Sequence, residues 1–257
     1  CSDSPLLKKL VRPDLIFGTR AIMETILAGK TIDKIFVDKG AKSPLYKALL
    51  ALVRQHQIPC SYVPTVKLNK LTTKNHQGAV AYLAPIALTS LSHVIQGSYE
   101  QGKMPLILLL DSITDVRNFG AIVRTAACTG VDAVVVPVQG SASISGEAMK
   151  TSAGALQFIP VSRSTNMKED MQYLKGSGLQ LVSCTEKADG LLSDVDFNAP
   201  TALIMGSEDE GISGAYLEVS DCKAKIDISG HIASLNVAAA SAMALYEIRW
   251  QRANATI

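Results

Sequence analysis

The chain has 257 residues, 47% hydrophobic and 19% charged, with a formal net charge of +2, the make-up of a globular protein of one large or two medium domains. No segment has the run of about 18 apolar residues that a membrane span needs, and the five cysteines, Cys1, Cys60, Cys128, Cys184 and Cys222, show neither close pairing nor metal-type spacing, which reads as reduced thiols in a cytoplasmic protein with no metal site. The near-neutral charge hides an asymmetry: residues 1–85 hold 13 Lys or Arg against 5 Asp or Glu, and the remainder 12 against 18.

A short arm, whose Cys1 is read as a trimmed or truncated start, leads to a strand at Asp14–Gly18. Thr19 opens a helix to Ala28, closed by Gly29. Ile35–Val37 is a second strand, and Ser43-Pro44, a cap followed by proline at the first helical position, opens a helix to His56. A strand at Cys60–Val63, a short helix at Val66–Leu71 and a strand at Ala79–Leu83 follow. This alternation over residues 1–85 predicts a small α/β/α domain. Its loop Lys67–Gly78 gathers lysines and amides with a glycine, as phosphate and ribose contacts require. The excess of cations has two readings, a surface for a polyanion or a solvated lysine-rich face. Residues 86–104, rich in Ser with Gly97 and Gly102, read as a linker.

Residues 105–257 read as the second domain. Leu106–Leu110 is a continuous apolar run, expected of a strand buried on both faces of a parallel sheet. A helix then carries Ile122, Val123, Arg124 and Ala127 to Gly130. Strands at Ala133–Val136, Phe158–Val161, Leu179–Val182 and Thr201–Met205 alternate with helices at Glu147–Thr151 and Asn166–Lys175. Lys225–Ile228 is a last short strand, before a loop and a helix opened by Ser234 or Asn236. From Val237 to Ala244 that helix is almost all Ala, Val, Ser and Met, slim enough for another backbone or a second subunit to approach closely. The whole predicts a mostly parallel sheet covered by helices, with ligands at the carboxyl ends of its strands.

Three polar loops fall at such ends: Asn118-x-Gly120-x-x-x-Arg124, Gly206-x-Glu208-x-x-Gly211 and Ser234-Leu235-Asn236. Glycine lets a backbone turn sharply beside a ligand and helix N-termini offer N–H groups, which suits a nucleotide-like molecule. None of the three is a G-x-G-x-x-G fingerprint or a G-x-x-x-x-G-K-[ST] loop, which argues against nicotinamide nucleotides and NTP hydrolysis. Taken singly, Asn118 and Ser234 also read as helix caps, Glu208 as a solvated turn residue and Arg124 as an ion-pair partner. Cys128 and Cys184 read as core residues, and His231 is assigned no role.

Taken in order, the three loops resemble the motifs of the SpoU, or TrmH-like, branch of the SPOUT RNA methyltransferases, over residues 105–252. Phe17-Gly18 entering a helix and His76–Ala81 are similar to that family's small ribosomal-protein-like RNA-binding domain. The organisation is closest to enzymes that methylate a guanosine ribose in 23S rRNA. The resemblance implies an α/β fold whose C-terminal, mostly parallel sheet contains a deep trefoil knot. It also implies a homodimer with the active site at the interface, S-adenosylmethionine as donor and structured RNA as substrate. Carried over by position, it gives Gly206, Ile226 and Leu235 as cofactor-binding residues, and Asn118, Arg124, Glu208, Ser234 and Asn236 as catalytic ones. The chain departs from the family at Asp115-Val116-Arg117-Asn118, where Asp-Pro-His-Asn is usual, and at Asp227, where proline is frequent.

A guanidinium almost never loses its proton. Arg124, oriented by Glu208, is therefore expected to bind the adjacent phosphate and stabilise developing alkoxide charge, while the proton leaves through water or phosphate. A tRNA substrate, and a catalytically silent RNA-binding or ribosome-assembly factor of the same fold, are the alternatives.

Overall fold

The computed structural model describes residues 15–229 and 234–255; Cys1 and His231 lie outside them. The chain divides after Pro85 into two compact units.

The first unit runs β1 (Leu15–Phe17), α1 (Thr19–Leu27), β2 (Ile32–Asp38), α2 (Pro44–Gln55), β3 (Cys60–Val63), α3 (Thr65–Leu71) and β4 (Ala79–Leu83). Its sheet has the order β1-β4-β2-β3, with β4 antiparallel to both neighbours and β3 parallel to β2. Strand alternation sorts the side chains onto two faces. Ile35, Val37, Ala79 and Ala81 cluster with Ile22 and Ile26 of α1 and Leu49 and Val53 of α2. Val63, Val80, Phe17 and Phe36 cluster instead with Leu68 and Leu71 of α3. Among the described residues of this unit, two helices thus cover one face and a single short helix the other.

The second unit contains α4 (Leu91–Glu100), β5 (Leu106–Leu110), α5 (Val116–Thr129), β6 (Ala133–Pro137), α6 (Gly146–Thr151) and β7 (Val161–Ser164). It continues through α7 (Met167–Gly176), β8 (Gln180–Cys184), β9 (Gly190–Leu191), β10 (Thr201–Met205), α8 (Gly214–Leu217), β11 (Cys222–Lys225) and α9 (Val237–Asn254). The sheet order is β7-β6-β5-β10-β8-β11-β9, with every pairing parallel. Adjacent β5 and β10 are buried at every residue, which is why their sequences show no alternation.

Four expectations are corrected. Residues 86–104 are no plain linker: they contain α4, whose Leu91 and Ile95 are buried in the second unit's core. The serine that suggested a loop is the helix cap, Ser90 accepting from His93 N. β7 begins at Val161 instead of Phe158, because a 3-10 turn at Ala155–Gln157 leaves Phe158 83% exposed. β11 ends at Lys225, so Ile226–Ile228 have already left the sheet. Cys128 is exposed, away from the α5 face formed by Phe119, Ile122, Val123 and Ala126, while Cys184 is buried as expected.

Candidate active site

The first polar loop opens α5. Asp115 is its cap, accepting from Arg117 N at 2.7 Å and Asn118 N at 3.1 Å. The Arg117 guanidinium bonds back to the same carboxylate at 3.2 Å and, with the backbone N–H groups, holds it below the usual carboxylate range. The extra cation of this chain's Asp115-Val116-Arg117-Asn118 thus sits on its own helix cap. One turn on, a Cβ at Gly120 would lie 2.0 Å from Thr151 Oγ1 and 2.8 Å from the Thr151 carbonyl carbon. The glycine is required by the close crossing of α5 and α6.

The second loop leaves β10. A Cβ at Gly206 would fall 2.1 Å from the carbonyl carbon of Gly211. Only glycine lets the loop fold back on its own stem, where Gly211 N donates to Ser207 O at 3.0 Å. This hairpin presents Glu208.

Glu208 joins all three loops. Its Oε1 accepts from Asn118 Nδ2 at 2.8 Å, Asn236 Nδ2 at 2.6 Å and Val237 N at 3.3 Å. Asn236 Nδ2 also donates to Asn118 Oδ1 at 3.1 Å, and Asn236 Oδ1 caps α9 by accepting from Ala238 N and Ala239 N at 3.0 and 3.3 Å. A carboxylate at the positive end of a helix is in a favourable place. The cap of α9 is therefore Asn236, and Ser234 is left facing a cavity.

That cavity measures about 350 Å³, within the range of small-molecule sites. Gly206, Glu208, Ile226, Ser234 and Leu235 all line it, with Met205 and Val237 adding apolar wall. Asn118 and Asn236 stand behind Glu208. Arg124 is elsewhere: it is exposed and makes no ion pair or hydrogen bond among the described residues. It lies six residues along α5 from Asn118, about 9 Å of helix, so the expected orientation of Arg124 by Glu208 is not made within one chain. The stretch Cys184–Lys187, at the end of β8, also lines the cavity. No motif marks it; its only signal is that β8 runs beside β10 and ends at the same sheet edge. Burial, and then the nearby Glu186 charge, push the Cys184 thiol up to about 12.

Residues 105–246 match the SpoU rRNA Methylase family, and residues 15–88 match the RNA 2'-O ribose methyltransferase substrate binding domain. The chain belongs to the SpoU methylase family. A relative in Staphylococcus saprophyticus, named for the TrmH family of tRNA/rRNA methyltransferases, is 32% identical over 234 residues, covering 91% of this chain and 94% of its own. Among solved structures, the SpoU methyltransferase AviRb from Streptomyces viridochromogenes is 25% identical with a TM-score of 0.60, covering 94% of this chain and 90% of that one. AviRb has also been solved in complex with AdoMet, with 93% of this chain covered. This SpoU enzyme is an RNA methyltransferase, and the residues of its cavity fit the AdoMet that the AviRb structure holds. The cavity has the size, the apolar walls suit an adenine, and the bare backbone at Gly206 allows close approach. Among the described residues no helix is long and apolar enough to cross a membrane.

Proposed function

We propose that this SpoU enzyme methylates the 2′-hydroxyl of a ribose in structured RNA, a guanosine of 23S rRNA, with residues 1–85 binding the RNA and residues 105–257 forming a knotted catalytic domain. The observation that carries this reading is the Glu208 clamp, which ties Asn118 and Asn236 together at the wall of the cavity. The RNA 2′-hydroxyl is the acceptor and is also the group by which RNA is told from DNA.

S-adenosylmethionine, when bound, supplies an electrophilic sulfonium methyl. Gly206, Ile226 and Leu235 would hold it through backbone and apolar contacts, in a cavity whose wall Ser234 shares. What remains for the protein is to bring the ribose oxygen into line and keep it there. Asn118 and Asn236, their amides fixed by Glu208, form the rigid wall against which the nucleotide sits. Arg124, exposed and unpaired, is available to grip the adjacent phosphate with its fork of donors and to stabilise the oxygen as its proton passes to water or phosphate.

The enzyme works as a homodimer in this reading, which is how Arg124 reaches a cavity it does not line. On α9, Met243, Tyr246 and Trp250 are 48%, 63% and 53% exposed. Their spacing of three and four residues puts three large apolar groups on one stripe. Burial of that stripe against a second copy would bring Arg124 of the partner subunit to the ribose.

A tRNA substrate is the second reading, favoured by relatives named for both RNAs. The test is to incubate the purified enzyme and methyl-labelled S-adenosylmethionine with 23S rRNA or total tRNA and map 2′-O-methyl positions. Transfer to one guanosine ribose of 23S rRNA is expected. Transfer to tRNA alone overturns the rRNA substrate, and no ribose methylation of either RNA overturns the reading. Light scattering should report a mass of two chains.

A further inference from the structure

The sheet face of the first unit that, among the described residues of that unit, α3 alone covers has an unusual surface. Phe17 and Phe36 are half-buried, packed with Val80 of the sheet and Leu68 of α3. Above them stand ammonium groups: Lys34 Nζ lies 5.2 Å and Lys67 Nζ 5.4 Å from the Phe36 ring centroid, and Lys74 Nζ lies 5.3 Å from that of Phe17. None of these three lysines has an ion-pair partner among the described residues. Phe36 is steadied by the edge-on ring of Tyr82, with centroids 6.1 Å apart and planes at 84°.

Two flat rings with three unpaired cations over them complement one kind of ligand, an anionic strand whose bases are free to stack. We propose that this face is a stacking platform for an unpaired stretch of the RNA substrate. Bases lie on Phe36 and Phe17, and Lys34, Lys67 and Lys74 swing outward onto the flanking phosphates. An ammonium over an exposed ring is held weakly, so a phosphate can draw the lysine away and free the ring face. Paired RNA cannot use such a surface, because its bases are stacked on each other and its grooves offer shape and hydroxyls instead.

The loop that carries Lys74 is already set. Lys74 N donates to Thr72 Oγ1 at 3.2 Å, Gln77 N to Asn75 Oδ1 at 3.2 Å and Gly78 N to His76 Nδ1 at 3.1 Å. Since His76 Nδ1 accepts, its Nε2 carries the hydrogen and donates to Asn69 Oδ1 at 2.8 Å. Little ordering is left for the moment of binding.

The proposal rests on the RNA-binding role given to residues 1–85, and its test separates the two. The full chain is titrated with a roughly 12-nucleotide oligouridylate and with a hairpin duplex of similar length. The single strand should bind more tightly. Phe36→Leu, which keeps the apolar volume but removes the ring, should weaken it about tenfold, while Phe36→Tyr retains it. Replacing Lys34, Lys67 and Lys74 together by Gln should reduce the salt slope of single-strand binding by about 2. Unchanged affinity in Phe36→Leu, or a preference for the duplex, overturns the platform. Calorimetric binding of S-adenosylmethionine in the same proteins reports the catalytic domain alone. Its presence with a failed platform leaves the methyltransferase reading standing.

Discussion

Asn236 donates to Glu208 Oε1 at 2.6 Å through one end of its amide, while the other end accepts the first free N–H groups of α9. One side chain therefore begins α9 and positions the Glu208 carboxylate. Asn236→Ala removes both roles. The lost cap costs about 1 kcal/mol and the lost donor to Glu208 a further 1 kcal/mol or so. Urea unfolding should show their sum, with methyl transfer reduced at least about tenfold. Asn236→Ser can still cap, so it should recover most of the stability and little of the transfer. A serine variant with normal transfer would show that the link to Glu208 is dispensable.

Gly120 and Gly206 of the motifs should fail differently. Gly206→Ala places a methyl 2.1 Å from the Gly211 backbone, so the Glu208 hairpin must open and S-adenosylmethionine binding should be lost in calorimetry. Gly120→Ala collides with Thr151 at 2.0 Å and should destabilise the fold by about 1–3 kcal/mol, an overpacking cost. Thr151→Ala, which removes the colliding Oγ1, should rescue it only in part, because the Thr151 Cβ and carbonyl carbon are themselves 2.6 and 2.8 Å from the added carbon.

Arg124 offers the reverse dissociation. Because it is exposed and unpaired, Arg124→Ala and Arg124→Lys should unfold within about 0.5 kcal/mol of the parent. Both should lose most methyl transfer, the lysine because a point charge cannot reproduce a two-pronged phosphate grip. Full activity in Arg124→Lys would dispose of the clamp.

Arg252 holds the far end of α9. Its guanidinium donates to Phe197 O at 3.0 Å, Met104 O at 3.0 Å and Ala199 O at 2.8 Å; burial lowers its pKa from the ordinary arginine value. A lysine cannot span three carbonyls, so Arg252→Lys should destabilise by about 1–3 kcal/mol. The melting temperature should fall without a change in affinity for S-adenosylmethionine.

Cys184 gives a pH dependence. Its folded value is raised to about 12, chiefly by burial, from 9.0. The thiolate is thus tolerated unfolded before it is tolerated folded. The stability this represents is complete below about pH 9 and is lost as pH rises toward 12. Cys184→Ala should show a shallower alkaline decline across that window, read by unfolding at a series of pH values. At neutral pH the Cys184 thiol in this cavity wall therefore stays protonated.

Much of this was legible in the sequence, for identifiable reasons. The runs Leu106–Leu110 and Thr201–Met205 matched their strands residue for residue, because burial on both faces leaves no other pattern. Gly206, Ile226, Leu235, Glu208 and Ser234 do share one cavity. Less visible was why the glycines are there: Gly120 serves helix packing, which depends on Thr151 far along the chain. α4 was hidden because its cap and its small residues imitate a linker. Cys184–Lys187 carried no motif, as a wall needs only position. Phe158 misled by being aromatic next to a β-branched run, though it ends a turn in solvent.

Asn118 and Asn236, which meet at 3.1 Å, stand 118 positions apart, and Glu208 comes late between them. On a nascent polypeptide the Glu208 clamp cannot close until α9 has begun to form, and a proteolytic nick that freed α9 would part Asn236 from both Glu208 and Asn118.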